Sequence, residues 1–407
     1  MKQNWKRNAA IFLSSQAISL FGSALVQYAI VWHITLETQS GTFMMLSIIF
    51  AAVPQLLLTP FAGVWADRYN RKLLIILSDG FIAASTLVMA ILFSLGHDSM
   101  WLLLVVTALR GFGSAVQSPS VSAMLPDLVP TEQLTRVNGI NGSIQSAITF
   151  VAPMLSAALI KLSSLSVFFY IDVVTATVAI AILILFLKIP ARERTEPTTD
   201  AAGAVGYLDD MKKGLAYIGK TKFLMRFMVF NGFFSFLITP IAMLSPLQVT
   251  RNYGAEVWYL TAIELAWSAG MLLGGLLIAA WGGFRNRFHT MMLATFVMSI
   301  GVAALGFSMP FWAYITIMGL MGIFLPITNT VSNVILQSRV DPDFMGRIFS
   351  VFVMLNSAIM PLGMVVFGPL ADAVNLNYIM LGTGIAQVVT VLLALRSKTM
   401  FAAGEPV

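Results

Sequence analysis

Gly63-Val-Trp-Ala-Asp67-Arg68-Tyr-Asn70-Arg71-Lys72-Leu-Leu-Ile75 is a dense polar knot set between two long apolar runs. Each flanking run is about 20 residues or longer, the length needed to cross a hydrocarbon core. In a soluble protein such a cluster would be an ordinary turn between core helices. Here Asp67 closes an unbroken hydrophobic segment, and the cations Arg68, Arg71 and Lys72 follow within five residues. The stretch therefore reads as a short loop at a membrane face.

Composition agrees with that reading. Of 407 residues, 58% are hydrophobic and 10% charged, against about 25% charged in soluble domains. Such a chain cannot cover a soluble surface, so lipid is its expected solvent. The net charge of +6 arises from loops and not from one basic face, which argues against a nucleic-acid partner. Without cysteine there is no disulfide, thiolate metal site or cysteine nucleophile. After the basic leader Met1 to Arg7, the apolar run from Ala9 continues to about Trp32. That is too long for a signal-peptide core, and a retained first span is expected.

Apolar runs at about 9–35, 42–65, 73–95, 100–125, 138–160, 166–188, 223–249, 256–281, 288–309, 311–337, 344–371 and 377–395 predict twelve spanning helices. Pro54, Pro60, Pro153, Pro240 and Pro361 are expected to kink these helices without ending them. Nearly all cations fall in loops of one face, among them Lys6, Arg71, Arg136, Arg285, Arg339 and Arg396; only Lys161 and Arg251 fall in loops of the other. The positive-inside rule then places both termini in the cytoplasm. The longest polar stretch divides the helices six and six. The expected organisation is an N-terminal bundle over 1–189, a cytoplasmic linker over 190–221 and a C-terminal bundle over 222–407. Within the linker, Leu208, Met211, Leu215 and Ile218 recur at helical spacing and predict a short amphipathic helix on the membrane surface.

The two halves repeat. Val129, Glu132 and Arg136 recur as Val340, Asp343 and Arg347 at the same spacing, and Arg285 and Arg287 follow the eighth run as Arg71 and Lys72 follow the second. Internal repeats of six helices are what two-bundle secondary transporters show, with the substrate near the midplane.

With these residues in place the chain resembles the major facilitator superfamily. Gly63, Ala66, Asp67, Arg68, Arg71 and Lys72 match its signature between the second and third helices, with Asn70 where glycine is usual; Asn tolerates a left-handed backbone nearly as well. Asp67 with its loop, Arg110-Gly-Phe-Gly113, the Leu128 to Thr135 loop and Ile171-Asp172-Val173 make it similar to macrolide-efflux-type drug:proton antiporters. Ala152-Pro153 stands where such exporters carry a Gly-Pro motif, and small residues there still allow close helix approach. The resemblance implies an all-α integral membrane protein of twelve transmembrane helices in two six-helix bundles. It also implies a bacterial cytoplasmic-membrane location, efflux by alternating access, a proton gradient and no cofactor as energy source. The expected partners are a hydrophobic or amphipathic small molecule, protons and lipid, with the chain a monomer. Export of a siderophore or lipid-like metabolite, or an uncoupled facilitator or membrane sensor, are the alternative readings. There is no phosphate-binding loop or nucleophile triad, so an enzyme is not expected.

The resemblance also implies a cytoplasmic gate in which Asp67 meets the start of the eleventh helix near Gly346 and Arg347. Arg68, Arg71 and Lys72 would support it, and Asp79, two turns into the third helix, lies close enough in sequence to join them. Proton coupling is assigned to Arg110, Glu264 and Asp172. A guanidinium within a membrane span is costly and faces the bundle interior or water, so Arg110 is functional by default. A carboxylate such as Glu264, in the eighth helix, is placed to bind and release a proton; the alternative is a neutral carboxyl hydrogen-bonded between helices. Gln27, Asn141, Gln145, Asn231, Asn329, Asn333 and Asn356, with Trp267 as a wall, are the candidates to orient substrate. No His and carboxylate pair has ligand spacing, so no metal site is expected.

Overall fold

A computed structural model of the chain describes residues 5–187, 213–341 and 344–405. Among them twelve helices are long and apolar enough to cross a membrane. These are α1 (Trp5–Thr38), α2 (Gly41–Arg68), α3 (Arg71–Ser94), α4 (Met100–Leu128), α5 (Leu134–Leu162), α6 (Leu165–Phe186), α7 (Lys222–Tyr253), α8 (Val257–Trp281), α9 (Arg287–Ala304), α10 (Phe311–Arg339), α11 (Met345–Ala373) and α12 (Leu376–Leu395), followed by the short α13 (Lys398–Ala403). The twelve apolar runs are thus twelve helices, and the prolines lie inside them. Of the expected linker over 190–221, residues 190–212 lie outside the described residues. Of the expected amphipathic helix, residues 213–220 are helical, with Ile218 buried and Tyr217 stacked on Phe344 at 4.4 Å.

The chain forms two compact units. Unit 1 comprises Met1–Ile34 and Leu46–Tyr207, and unit 2 comprises Thr35–Met45 and Leu208–Val407. The turn between α1 and α2 therefore packs with unit 2.

Each unit repeats the other's register. α4, α5 and α6 begin at residues 100, 134 and 165, and α10, α11 and α12 at 311, 345 and 376, so each start recurs 211 residues later. For α2 and α3, which begin at 41 and 71, the partners α8 and α9 begin at 257 and 287, 216 residues later. The correspondence extends to contacts. A Cβ on Gly111 would lie 2.5 Å from the Ala51 carbonyl oxygen, and one on Gly322 would lie 2.5 Å from the Trp267 carbonyl oxygen. Glycine at these positions lets α4 approach α2, and α10 approach α8, backbone to backbone, as membrane helix seams require. Asn70 and Asn286 occupy matching N-caps and accept from the amides of Leu73 and Phe288. Trp101 and Trp312, at the matching starts of α4 and α10, are both exposed, where an interfacial aromatic anchor sits.

Candidate functional site

The polar knot of the α2–α3 turn folds as a bracket inside unit 1. Asn70 has φ −67° and ψ 110° and caps α3 with its side chain. The left-handed backbone expected there is not adopted, because an extended N-cap suits Asn as well as a glycine turn would. Arg71 donates from Nε to the Ala66 carbonyl at 2.8 Å and from its guanidinium to the Ala123 carbonyl and to Asp127, both at 2.7 Å. Lys72 donates to the Leu187 carbonyl at 2.8 Å. The turn thereby ties the ends of α2, α3, α4 and α6 together. Arg68 is exposed at the end of α2, and the Asp67 side chain lies outside what the structure describes. In unit 2, Gly346 is exposed at the start of α11, and Arg347 lies over the Phe344 ring at 5.5 Å.

Asp79 does not join the Arg71 and Lys72 group. Its carboxyl accepts from Gln117 Nε2 at 2.8 Å in the interior of unit 1.

The centre of unit 1 holds a buried ion pair. Arg110 on α4 donates to Asp172 on α6, to Thr86 on α3 at 2.7 Å and to the Ser23 carbonyl on α1 at 3.4 Å. Ser23 also donates to Asp172 at 3.1 Å. The Asp172 side chain is 1% exposed and that of Arg110 10%. Four helices thus converge on one guanidinium and one carboxylate. Breaking such a pair strands a charge in an apolar interior, which costs about 3–5 kcal/mol. A cavity of about 310 Å³ borders the pair, lined by Ser23, Gln27, Gln55, Arg110, Ser114 and Gln117 among others. Gln27 and Arg110 are therefore brought together, whereas Gln55, Ser114 and Gln117 went unrecognised. Their signal was present in the sequence: Gln117 lies seven residues after Arg110, two turns along the same helix face.

The remaining candidates are spread over α5 and unit 2. Asn141 is half-buried and Gln145 exposed on α5. Asn231 on α7 donates to the Phe227 carbonyl at 2.9 Å. Asn356 on α11 accepts from Ser235 on α7 at 3.2 Å and donates to the Phe352 carbonyl at 2.8 Å. Asn329 and Asn333 sit one turn apart on α10, the first exposed and the second half-buried. Glu264 and Trp267 are half-buried on α8, close to its seam with α10. Unit 2 also carries a wider, shallow depression of about 1000 Å³ beside Arg285, His289 and Phe401.

A polar cluster lies at the α1–α2 turn. Asp372, near the end of α11, accepts from the Ser40 hydroxyl at 2.8 Å, the Gly41 amide at 2.7 Å, and the Thr42 amide and hydroxyl at 2.9 and 2.6 Å. Arg251 at the end of α7 pairs with Asp372 at 3.1 Å and donates to the Gln39 carbonyl at 2.6 Å. Asp372 therefore caps α2, a carboxylate accepting the orphan amides of a helix N-terminus.

Residues 12–364 match the model of the Major Facilitator Superfamily. The chain belongs to this superfamily. It is a multi-pass membrane transporter and not an enzyme. This superfamily member is 28% identical to macrolide efflux protein A of Streptococcus pyogenes, over 94% of this chain and 93% of that protein. It is 23% identical to the multidrug efflux pump Tap of Mycolicibacterium fortuitum, over 92% of each. Its fold is similar to that of the nucleoside transporter NupG, with a TM-score of 0.72 at 14% identity, over 97% of this chain and all of that one.

Proposed function

We propose that this transporter exports macrolide-type and other hydrophobic or amphipathic compounds across a bacterial cytoplasmic membrane by alternating access, in exchange for protons, with both termini cytoplasmic. The observation that carries the reading is the Arg110–Asp172 pair, buried where α1, α3, α4 and α6 meet and bordering a cavity with amide and hydroxyl walls. An intramembrane pair of this kind is expensive to keep and marks ion or substrate pathways. The relatives named for macrolide and multidrug efflux supply the cargo class. In this reading Arg110 and Asp172 hold fixed charge in unit 1. Glu264, half-buried on α8, is the exchangeable acid of unit 2. The Arg71–Asp127 bracket keeps the α2–α3 turn rigid at the gate.

Everted membrane vesicles test this. Erythromycin accumulation energised by a pH gradient is expected in the wild type, with loss when the gradient is collapsed. Glu264→Gln is expected to reduce gradient-driven accumulation at least tenfold while erythromycin binding persists. Accumulation that survives collapse of the gradient, with Glu264→Gln unchanged, would sink the coupling.

A further inference from the structure

Two polar rungs cross unit 1, and only one of them is closed. On α3, Asp79 and Thr86 are seven residues apart, and on α4 so are Arg110 and Gln117, which puts each pair on one helix face about 10 Å apart. Thr86 meets Arg110 at 2.7 Å and Asp79 meets Gln117 at 2.8 Å, so the antiparallel helices form two rungs in register. α1 serves both: Ser23 bonds the first rung, and Ser19, one turn earlier, faces the Asp79 carboxyl in the second.

The first rung is satisfied by Asp172. The second is not. Asp79 is 2% exposed; one of its oxygens accepts from Gln117, and the other, Oδ2, is sealed from solvent and makes no hydrogen bond of ordinary geometry, although the Ser19 hydroxyl faces the carboxyl. Gln16, one turn from Ser19 on α1, likewise buries its Nε2 without a partner. A buried carboxylate oxygen lacking a donor is strongly disfavoured, and taking up a proton removes the charge. Among the described residues no cation pairs with Asp79. On the packed helices α4 and α6, Arg110 and Asp172 are committed to each other and Asp127 holds Arg71, while α1 carries its charged groups near its ends, at Lys6, Arg7 and Glu37. On α3 itself, Lys72 is committed to a carbonyl of α6's end.

We propose that Asp79 is the carboxyl of unit 1 that binds and releases the transported proton, with the Arg110–Asp172 pair as fixed charge beside it. This rests on the proton-coupled reading above and adds, beside Glu264 of unit 2, a proton-binding residue in unit 1. Protonation converts the carboxylate to a neutral acid that keeps the Gln117 bond; release restores a charge two helical turns from Arg110.

Two measurements on the full-length protein test it. In pH-difference infrared spectra, a carboxylic-acid C=O band that persists in Glu264→Gln is expected in the wild type, absent in Asp79→Asn and present but displaced in Asp79→Glu. A band unchanged in Asp79→Asn, or lost only in Asp172→Asn, overturns the proposal. In liposomes, Asp79→Asn is expected to bind erythromycin but to lose at least tenfold of its gradient-driven transport, with Asp79→Glu restoring it. Wild-type transport that ignores the gradient overturns the coupled reading and this inference together. Wild-type coupling left intact in Asp79→Asn overturns this inference alone.

Discussion

The two units share one frame and place their opposite charges differently. In unit 1 the pair Arg110–Asp172 lies within the helices, with side chains 10% and 1% exposed; in unit 2 the pair Arg251–Asp372 lies at the helix ends, with side chains 29% and 31% exposed. The 211-residue register sets Met321 opposite Arg110, Thr328 opposite Gln117 and Thr383 opposite Asp172, and the 216-residue register sets Thr295 opposite Asp79. Thr295 and Thr383 return their hydroxyls to their own helices. Meanwhile the close approach at Gly111 is matched at Gly322. The repeat has therefore kept its seams, which depend on small residues, and let the interior chemistry diverge. Burying a charge is costly in either unit, and among the described residues unit 1 supplies the converging partners that offset the cost.

Copying unit 2 into unit 1 tests this contrast most severely. Arg110→Met strands Asp172 and is expected to destabilise the protein by about 3–5 kcal/mol. Adding Asp172→Thr, so that both positions read as they do in unit 2, is expected to recover most of that loss. Thermal unfolding in detergent, followed by size-exclusion fluorescence, measures both variants, and drug export is expected to be absent in each. A single variant as stable as the double one would break the argument. A smaller effect addresses what the units hold in common. Gly111→Val and Gly322→Val each drive a side chain into a carbonyl of the neighbouring helix, at an expected cost of about 1–3 kcal/mol. Equal losses in unfolding temperature support equivalent seams, whereas tolerance of one variant would mean the repeat is only one of register.

Much of this frame was legible in the sequence. A hydrophobic run of spanning length needs no tertiary information, so all twelve helices could be read from it, along with the half-chain repeat. The interior was harder to read. Asp79 looked like a neighbour of Arg71 and Lys72 because it is near them in sequence. Its partner Gln117 is 38 residues away on the next helix, and only the shared seven-residue spacing of Asp79 with Thr86 and Arg110 with Gln117 pointed to it. Asp172 could be named as a candidate beside Arg110, but nothing local reveals that Arg110, 62 residues earlier, faces it. Asp372 was less legible still. An acid near a helix end reads as a cap or as a loop acid alike, and nothing local says which helix it caps, since its Thr42 partner lies 330 residues away.

That edge cluster provides the mildest test of the contrast. Asp372 accepts two hydroxyls and two backbone amides, and Asp372→Asn retains its shape while removing the charge and half of its accepting capacity. Hydrogen bonds to a charged group stabilise more than neutral ones, but these are partly exposed and solvent replaces some of what is lost. A cost of about 1–2 kcal/mol is expected, below that of Arg110→Met. The loss should also be local. Amide hydrogen exchange is expected to rise at Gly41 and Thr42, whose N–H groups lose their acceptor, and to stay unchanged in α4 and α6, which Asp372 does not touch. Arg251→Gln should give a weaker version of the same pattern, because it leaves all four bonds from the turn in place. If Asp372→Asn proves as costly as Arg110→Met, or loosens α4, the pair at the edge of unit 2 is coupled to the interior and the division of labour between the two pairs fails.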